Sequence, residues 1–249
     1  MSGGAAVYGS GGRIGIGTPQ ANPTVEAEMA ILLPRTCTQH VVRLTSPAAE
    51  PAARLVDYIE GLPDYLTRYD SFRPDVFGFA CTGSAYLVGA AREAEIVAGV
   101  PVPVLTATAA IRWALGRLGA RRIALVAPYP DALFEAGLRY WAAAGFEIVR
   151  AAQVKIASPD TRNIYALASD DARPVLEALD LSGLDAVLLS GTGLPSLPLL
   201  ADWPQAVPLL SSNACLAACL MARMGREDAL DAAGWVRGWR GRLAEALGV

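Results

Sequence analysis

The chain has 249 residues, of which 53% are hydrophobic and 18% charged; 21 Lys and Arg against 24 Asp and Glu give a formal charge of −3. This apolar content excludes intrinsic disorder, and the lack of any basic cluster argues against a nucleic-acid backbone as partner. The single histidine, His40, excludes a multi-histidine metal site and is the only residue that could serve as base in a Ser-His-Asp triad.

Residues 1–12, MSGGAAVYGSGG, are glycine-rich, lack the charged and apolar regions of a secretory signal, and read as a flexible leader. Short apolar runs then alternate with longer amphipathic stretches. Strands are predicted at 13–17, 40–44, 75–80, 101–105, 122–127, 185–190 and 207–211, and helices at 24–33, 48–68, 84–98, 107–118, 131–144, 170–179, 213–224 and 227–246. Such alternation with short loops predicts an α/β protein with parallel sheets flanked by helices. Thr24 is placed to cap its helix, and Glu26 and Glu28 suit that helix's positive end. The uncharged stretch from Trp203 to Ala222 is broken by Pro204, Pro208 and Ser211-Ser212-Asn213, so no membrane span is expected. Cys37, Cys81, Cys215 and Cys219 form no CxxC pair, which favours reduced thiols and a cytoplasmic location.

An internal repeat is the most informative feature. RIGIGTPQ (13–20) resembles RIALVAPY (122–129), PDVFGFACTGSAYL (74–87) resembles LDAVLLSGTGLPSL (184–197), and VPVLTATAAI (102–111) resembles VPLLSSNACL (207–216). The matches keep their order, at offsets of 109, 110 and 105 between Pro19 and Pro128, Cys81 and Gly191, and Thr106 and Ser211. This predicts two pseudo-symmetric lobes, 13–118 and 119–226, followed by a C-terminal helix over 227–249, with a chain crossover letting the spatial lobes differ from these halves. Each repeated element ends in polar or glycine residues. At the carboxyl ends of parallel strands, such residues surround a small anion with N–H and hydroxyl donors. The alternative is that they only end strands and turn the chain, a reading weakened by its having to hold six times over.

Cys81 follows an apolar strand and opens a helix, where helix-end amides can acidify a thiol into an acid, base or nucleophile; the competing reading is a small buried hydrophobe. Cys37 lies in a predicted loop, Cys215 and Cys219 share one face of an apolar helix as core residues, and His40 reads as structural. Gly191-Thr192-Gly193 does not continue as GxGxxG, the glycines at 9–17 precede a strand, and no GxxxxGK[ST] occurs, all in keeping with cofactor-independent chemistry.

Taken together, PQANPTVEAEM, FACTGSAYL, LVAPYPDALFEAG, SPDTRNIY, LLSGTGL and PLLSSNACLA resemble the aspartate/glutamate racemase superfamily, in particular its maleate isomerase and arylmalonate decarboxylase branch, over about 13–226. The resemblance implies a two-lobed α/β enzyme using no metal or organic cofactor, with its site in the cleft and two facing positions, usually cysteines, on either side of a carboxylate. The first of these falls on Cys81 and the second on Gly191. Asn22, Tyr129 and Asn163 match substrate-carboxylate positions. Thr82, Gly83 (through its amide, since CTG replaces the usual CTS) and Gly191-Thr192-Gly193 match positions that bind the carboxylate or enediolate.

A single thiol argues against two-base racemisation. Arylmalonate decarboxylases pair one cysteine with one glycine in the mirror arrangement, and decarboxylation needs only one proton donor. The leading expectation is therefore a cofactor-independent decarboxylase of a malonate-type acid, with Cys81 protonating an enediolate. Cis–trans isomerisation of a maleate-type acid with Cys81 as nucleophile is the alternative, and a catalytically lapsed carboxylate-binding protein is the third. The expected partner is a small carboxylic or dicarboxylic acid, with no nucleic acid or membrane involved; a homo-oligomer is compatible with the sequence.

Overall fold

The computed structural model describes residues 8–68 and 72–249, so residues 1–7 of the expected leader lie outside the described residues. In the first half, strand β1 (Gly12–Pro19) leads to α1 (Thr24–Leu32), β2 (Cys37–Leu44), α2 (Pro51–Glu60), α3 (Leu62–Thr67), β3 (Val76–Phe79), α4 (Thr82–Ala98), β4 (Val104–Thr106) and α5 (Ala107–Arg117). The second half follows with β5 (Arg122–Ala127), α6 (Asp131–Ala143), β6 (Glu147–Gln153), a 3-10 turn (Thr161–Ala166), α7 (Ser169–Glu177), β7 (Ala186–Leu189), α8 (Leu197–Asp202), β8 (Leu209–Ser211) and α9 (Ser212–Arg223). A second 3-10 turn (Glu227–Ala229) and α10 (Trp239–Leu247) complete the chain.

The strands form two four-stranded parallel sheets, ordered β2-β1-β3-β4 and β6-β5-β7-β8. The repeat in the sequence is thus a repeat of topology. It extends to single hydrogen bonds: Asp75 N donates to Arg13 O at 2.8 Å and Asp185 N to Arg122 O at 2.7 Å, and Phe77 N and Val187 N donate to Pro103 O and Pro208 O at 2.8 and 2.9 Å.

The central strands β1, β3, β5 and β7 bury Ile14, Ile16, Val76, Phe77, Phe79, Ile123, Leu125, Val126, Val187, Leu188 and Leu189, as strands covered on both faces must. The last strand of each sheet passes directly into a helix, and a hydroxyl makes the junction: Thr106 Oγ1 accepts from Ala109 N at 3.1 Å, and Ser211 Oγ from Ala214 N at 3.3 Å. Helix α9 packs on β3 and β4 of the first sheet as well as on β8, so the last helix of the second repeat belongs to both sheets. All parallel strands of a sheet end on one side, which brings the polar strand ends of the two repeats together there. Among the described residues no helix is long and apolar enough to cross a membrane.

Three expectations are corrected. The helix predicted over 48–68 is two helices that meet at Gly61, and the one over 227–246 is confined to Trp239–Leu247. Cys37 does not lie in a loop; it opens β2 with its thiol on Gly11 O at 3.4 Å. All four cysteines are free thiols, and Cys215 and Cys219 are buried.

Candidate active site

Cys81 lies two residues past β3 and is the N-cap of α4. Its thiol is buried and accepts a hydrogen bond from Ser84 Oγ at 3.2 Å. Burial pushes the thiol above its ordinary value, against the opposing pull of the Ser84 hydroxyl and the amides of Ser84 and Gly83. The helix end therefore does not make Cys81 an acidic thiol, as its place in the sequence predicts; desolvation outweighs it and keeps the proton on sulfur.

Tyr129 stands just before α6, with its hydroxyl 2.6 Å from Thr82 Oγ1. Its oxygen is 3.7 and 3.8 Å from where a Cβ on Gly83 or on Gly191 would stand, which puts the phenol between the two strand ends. Burial, and then the nearby Cys81 and Tyr86, keep it neutral. Gly83 itself has little room, since a Cβ there would come within 3.2 Å of Leu55 and 3.3 Å of Leu133. Asn22, fully buried, accepts from Thr24 N and Val25 N at 2.9 and 3.3 Å through Oδ1. Those two bonds turn its Nδ2 toward the second sheet, 3.4 Å from Thr192 Oγ1, and leave a second N–H for a ligand.

The loop Gly191-Thr192-Gly193 is braced from every side. Thr192 Oγ1 donates to Ala80 O at 2.9 Å, Thr24 Oγ1 to Gly193 O at 2.7 Å, and Asn213 Nδ2 to Thr192 O at 3.1 Å. Gly191 N donates to Ser212 Oγ at 3.1 Å. That bond engages the Gly191 amide, so the role the resemblance implies for it rests on the loop's shape.

Asn22, Cys81, Gly83, Tyr129, Gly191, Thr192 and Gly193 line one cavity of about 20 Å³, closed by Pro19, Leu55, Thr161, Ile164 and Tyr165. Thr82 reaches it through Tyr129. Asn163 does not join them: its Nδ2 donates to Ser158 Oγ at 2.7 Å and Asp160 O at 3.0 Å, away from the cavity lining. Its neighbours in SPDTRNIY form the wall instead.

Two features escape sequence reasoning. Glu28, buried in α1, accepts from Leu197 N at 3.0 Å, Asn213 Nδ2 at 2.7 Å, and the amide and hydroxyl of Ser196. Burial raises its carboxyl above the ordinary value, against those donors. Arg54, also buried, reaches from α2 to Asp160 Oδ1 at 2.8 Å and ties the first half to the segment over the cavity. The Arg162 and Arg54 guanidiniums hold Asp160 well below the usual carboxylate range. Among the described residues, no three His, Cys, Asp or Glu side chains gather as metal ligands would.

The family model for arylmalonate decarboxylase matches residues 82–236. The chain is 28% identical over 238 residues to a maleate isomerase of Nocardia farcinica, covering 89% of this chain and 94% of that protein. It superposes with a TM-score of 0.77 on a cysteine-to-serine variant of the N. farcinica maleate cis–trans isomerase carrying a covalently bound succinylcysteine intermediate. That match is 25% identical and covers 92% of this chain and 98% of the other. A solved arylmalonate decarboxylase shares the fold, with a TM-score of 0.63 at 21% identity over 86% of this chain and 92% of its own. The chain belongs to the arylmalonate decarboxylase family, in the branch of the aspartate/glutamate racemase superfamily that also holds the maleate isomerases, and is an isomerase or carboxy-lyase of that branch.

Proposed function

We propose that the protein isomerises maleate or a closely related cis-enedioate, with Cys81 as nucleophile. The observation that carries this reading is the similarity to maleate isomerases over most of the chain, and the cavity offers Cys81 as its thiol among walls that supply neutral hydrogen-bond donors. The similarity to an isomerase variant that carries a succinylcysteine supports bond formation between a cysteine and the alkene; whether the second carbon also gains a hydrogen here, as it has in that adduct, is decided by the deuterium experiment below. This reverses the order expected from the sequence, where Gly191 favoured decarboxylation.

Asn22, Tyr129 and the loop 191–193 anchor the carboxylates. Once the thiol proton has passed to solvent, the Cys81 thiolate adds to one alkene carbon, and the π pair moves into the carboxylate on the other carbon as an enediolate. Tyr129, turned toward the cavity, donates to it; one well-aimed donor of this kind is worth about 3–4 kcal/mol in comparable sites. The former double bond is now single and rotates. The electron pair then returns, expels the thiolate and leaves the trans alkene. No carbon is protonated along this path, so no second thiol is needed at Gly191.

The family model and the single thiol favour one second reading, decarboxylation of a substituted malonate with Cys81 protonating the enediolate. The similarity to maleate isomerases over most of the chain places it second. The lapsed binding protein is not carried forward, because the relatives that span the chain are enzymes. Proton NMR of maleate incubated with the protein tests the proposal: conversion to fumarate that disappears in Cys81→Ala is the expected result. Carbon dioxide release from malonates with maleate left intact would replace it by the second reading.

A further inference from the structure

We propose that Tyr86, Ser190 and Trp141 are positioning residues that fix Tyr129 as a hydrogen-bond donor to the bound carboxylate. Behind the cavity runs a buried chain of polar groups. Trp141 Nε1 donates to the Tyr86 hydroxyl at 2.7 Å, and that hydroxyl lies 2.7 Å from Ser190 Oγ. Ser190 Oγ donates to Thr82 Oγ1 at 3.4 Å, and Thr82 Oγ1 lies 2.6 Å from the Tyr129 hydroxyl. All five residues are buried.

The direction of the chain follows from its first member. An indole N–H can only donate, so the Tyr86 oxygen accepts from Trp141, and its own proton goes to Ser190 Oγ, the remaining hydrogen-bond partner of that buried hydroxyl. Ser190 then gives its proton to Thr82, and Thr82 gives its own to Tyr129. The Tyr129 hydroxyl, having accepted, is left with its proton facing the cavity. A chain that begins on a group able only to donate thus ends on a donor, which is what a carboxylate, able only to accept, requires. Reversed, the same hydroxyls would turn a lone pair toward the anion.

The inference rests on the reading of Tyr129 as a carboxylate ligand, and the test separates the two. Succinate and malonate, which contain no alkene to isomerise, serve as probes in calorimetric titrations. Tyr129→Phe should weaken binding by about tenfold or more, the usual worth of a hydrogen bond to a charged group. Tyr86→Phe should weaken it several-fold in the wild-type background and leave it unchanged in the Tyr129→Phe background. Equal loss in both backgrounds would make Tyr86 merely structural and overturn the proposal.

A second measurement needs no ligand. The 13Cζ resonance of Tyr129 reports whether its hydroxyl donates or accepts, and it should move in Tyr86→Phe and in Ser190→Ala; a resonance unmoved in both overturns the proposal. If neither acid binds the wild-type protein, the carboxylate reading falls, while this resonance still decides the direction of the chain.

Discussion

Cys81 and Gly191 each stand two residues past the end of an equivalent strand, and the amides just before them, Ala80 and Ser190, bond Gly17 O and Val126 O at the same 2.8 Å. Their backbones differ. Cys81 is extended, with φ −151°, whereas Gly191 has φ +120°, where a side chain is strained, and a Cβ there would come within 3.1 Å of Pro128. The site is built for one thiol. Gly191→Cys should therefore cost about 1–3 kcal/mol of stability, and the exchange Cys81→Gly with Gly191→Cys should yield little activity. Thermal melting and turnover of the two variants check this, and a Gly191→Cys protein as stable as wild type would refute it.

The pH profile separates the two chemistries. Burial holds the proton on Cys81 above the ordinary cysteine value, so the thiolate is the minor form at neutral pH. Isomerisation needs the thiolate, and kcat/KM for maleate should rise about tenfold per pH unit through neutrality until the thiol titrates. Decarboxylation needs the protonated thiol and would stay flat, then fall, over the same range. A flat profile for maleate conversion would count against nucleophilic attack by Cys81.

Solvent deuterium gives a second discriminator. With no acid–base side chain at Gly191 and no carbon protonation in the proposed path, fumarate made from maleate in heavy water should carry only its original hydrogens. Mass spectrometry of the product decides this. Deuterium in fumarate at early conversion would mean that a protonated succinyl adduct forms.

Glu28 should matter to both stability and the loop it supports. Glu28→Ala leaves the Ser196, Leu197 and Asn213 donors without their acceptor, at a cost of about 2–4 kcal/mol. The carboxyl is raised in the folded protein, so its contribution is complete below the unfolded carboxyl's pKa and declines as pH rises through the folded one. The stability gap between wild type and variant should thus be widest in acid. Denaturant melts at several pH values test this, and a gap that widens with pH would reverse the assignment.

What the sequence made legible were features that repeat or alternate. Strand β5 falls on its predicted residues, 122–127, and the repeated strand ends hold Cys81, Tyr129 and the loop 191–193, which the fold brings to one cavity. Strand β6 was not predicted. It is a half-exposed edge with a bulge between its pairings at Ile148 and Arg150, which breaks the period of two that marks a strand. The helix over 227–246 was overextended because its apolar residues recur at helical spacing, yet Gly238 adopts φ +71° and only the following residues are helical. Glu28 read as a favourable charge at its own helix end. Its true partners lie 168 to 185 residues away, beyond the reach of local pattern. Asn163 stands outside the cavity lining because local bonds to Ser158 and Asp160 claim its amide.

The sharing of α9 between the two sheets bears on how the molecule melts. Leu216 and Leu220 of this helix lie against Gly78 in the first sheet, and its Asn213 holds Glu28 of α1. Cutting the chain between the repeats would strip the first of its cover and leave the second with an apolar helix facing water. The duplication therefore does not create two separable folding units. Calorimetry should show a single cooperative transition, and neither half expressed alone should hold a native fold.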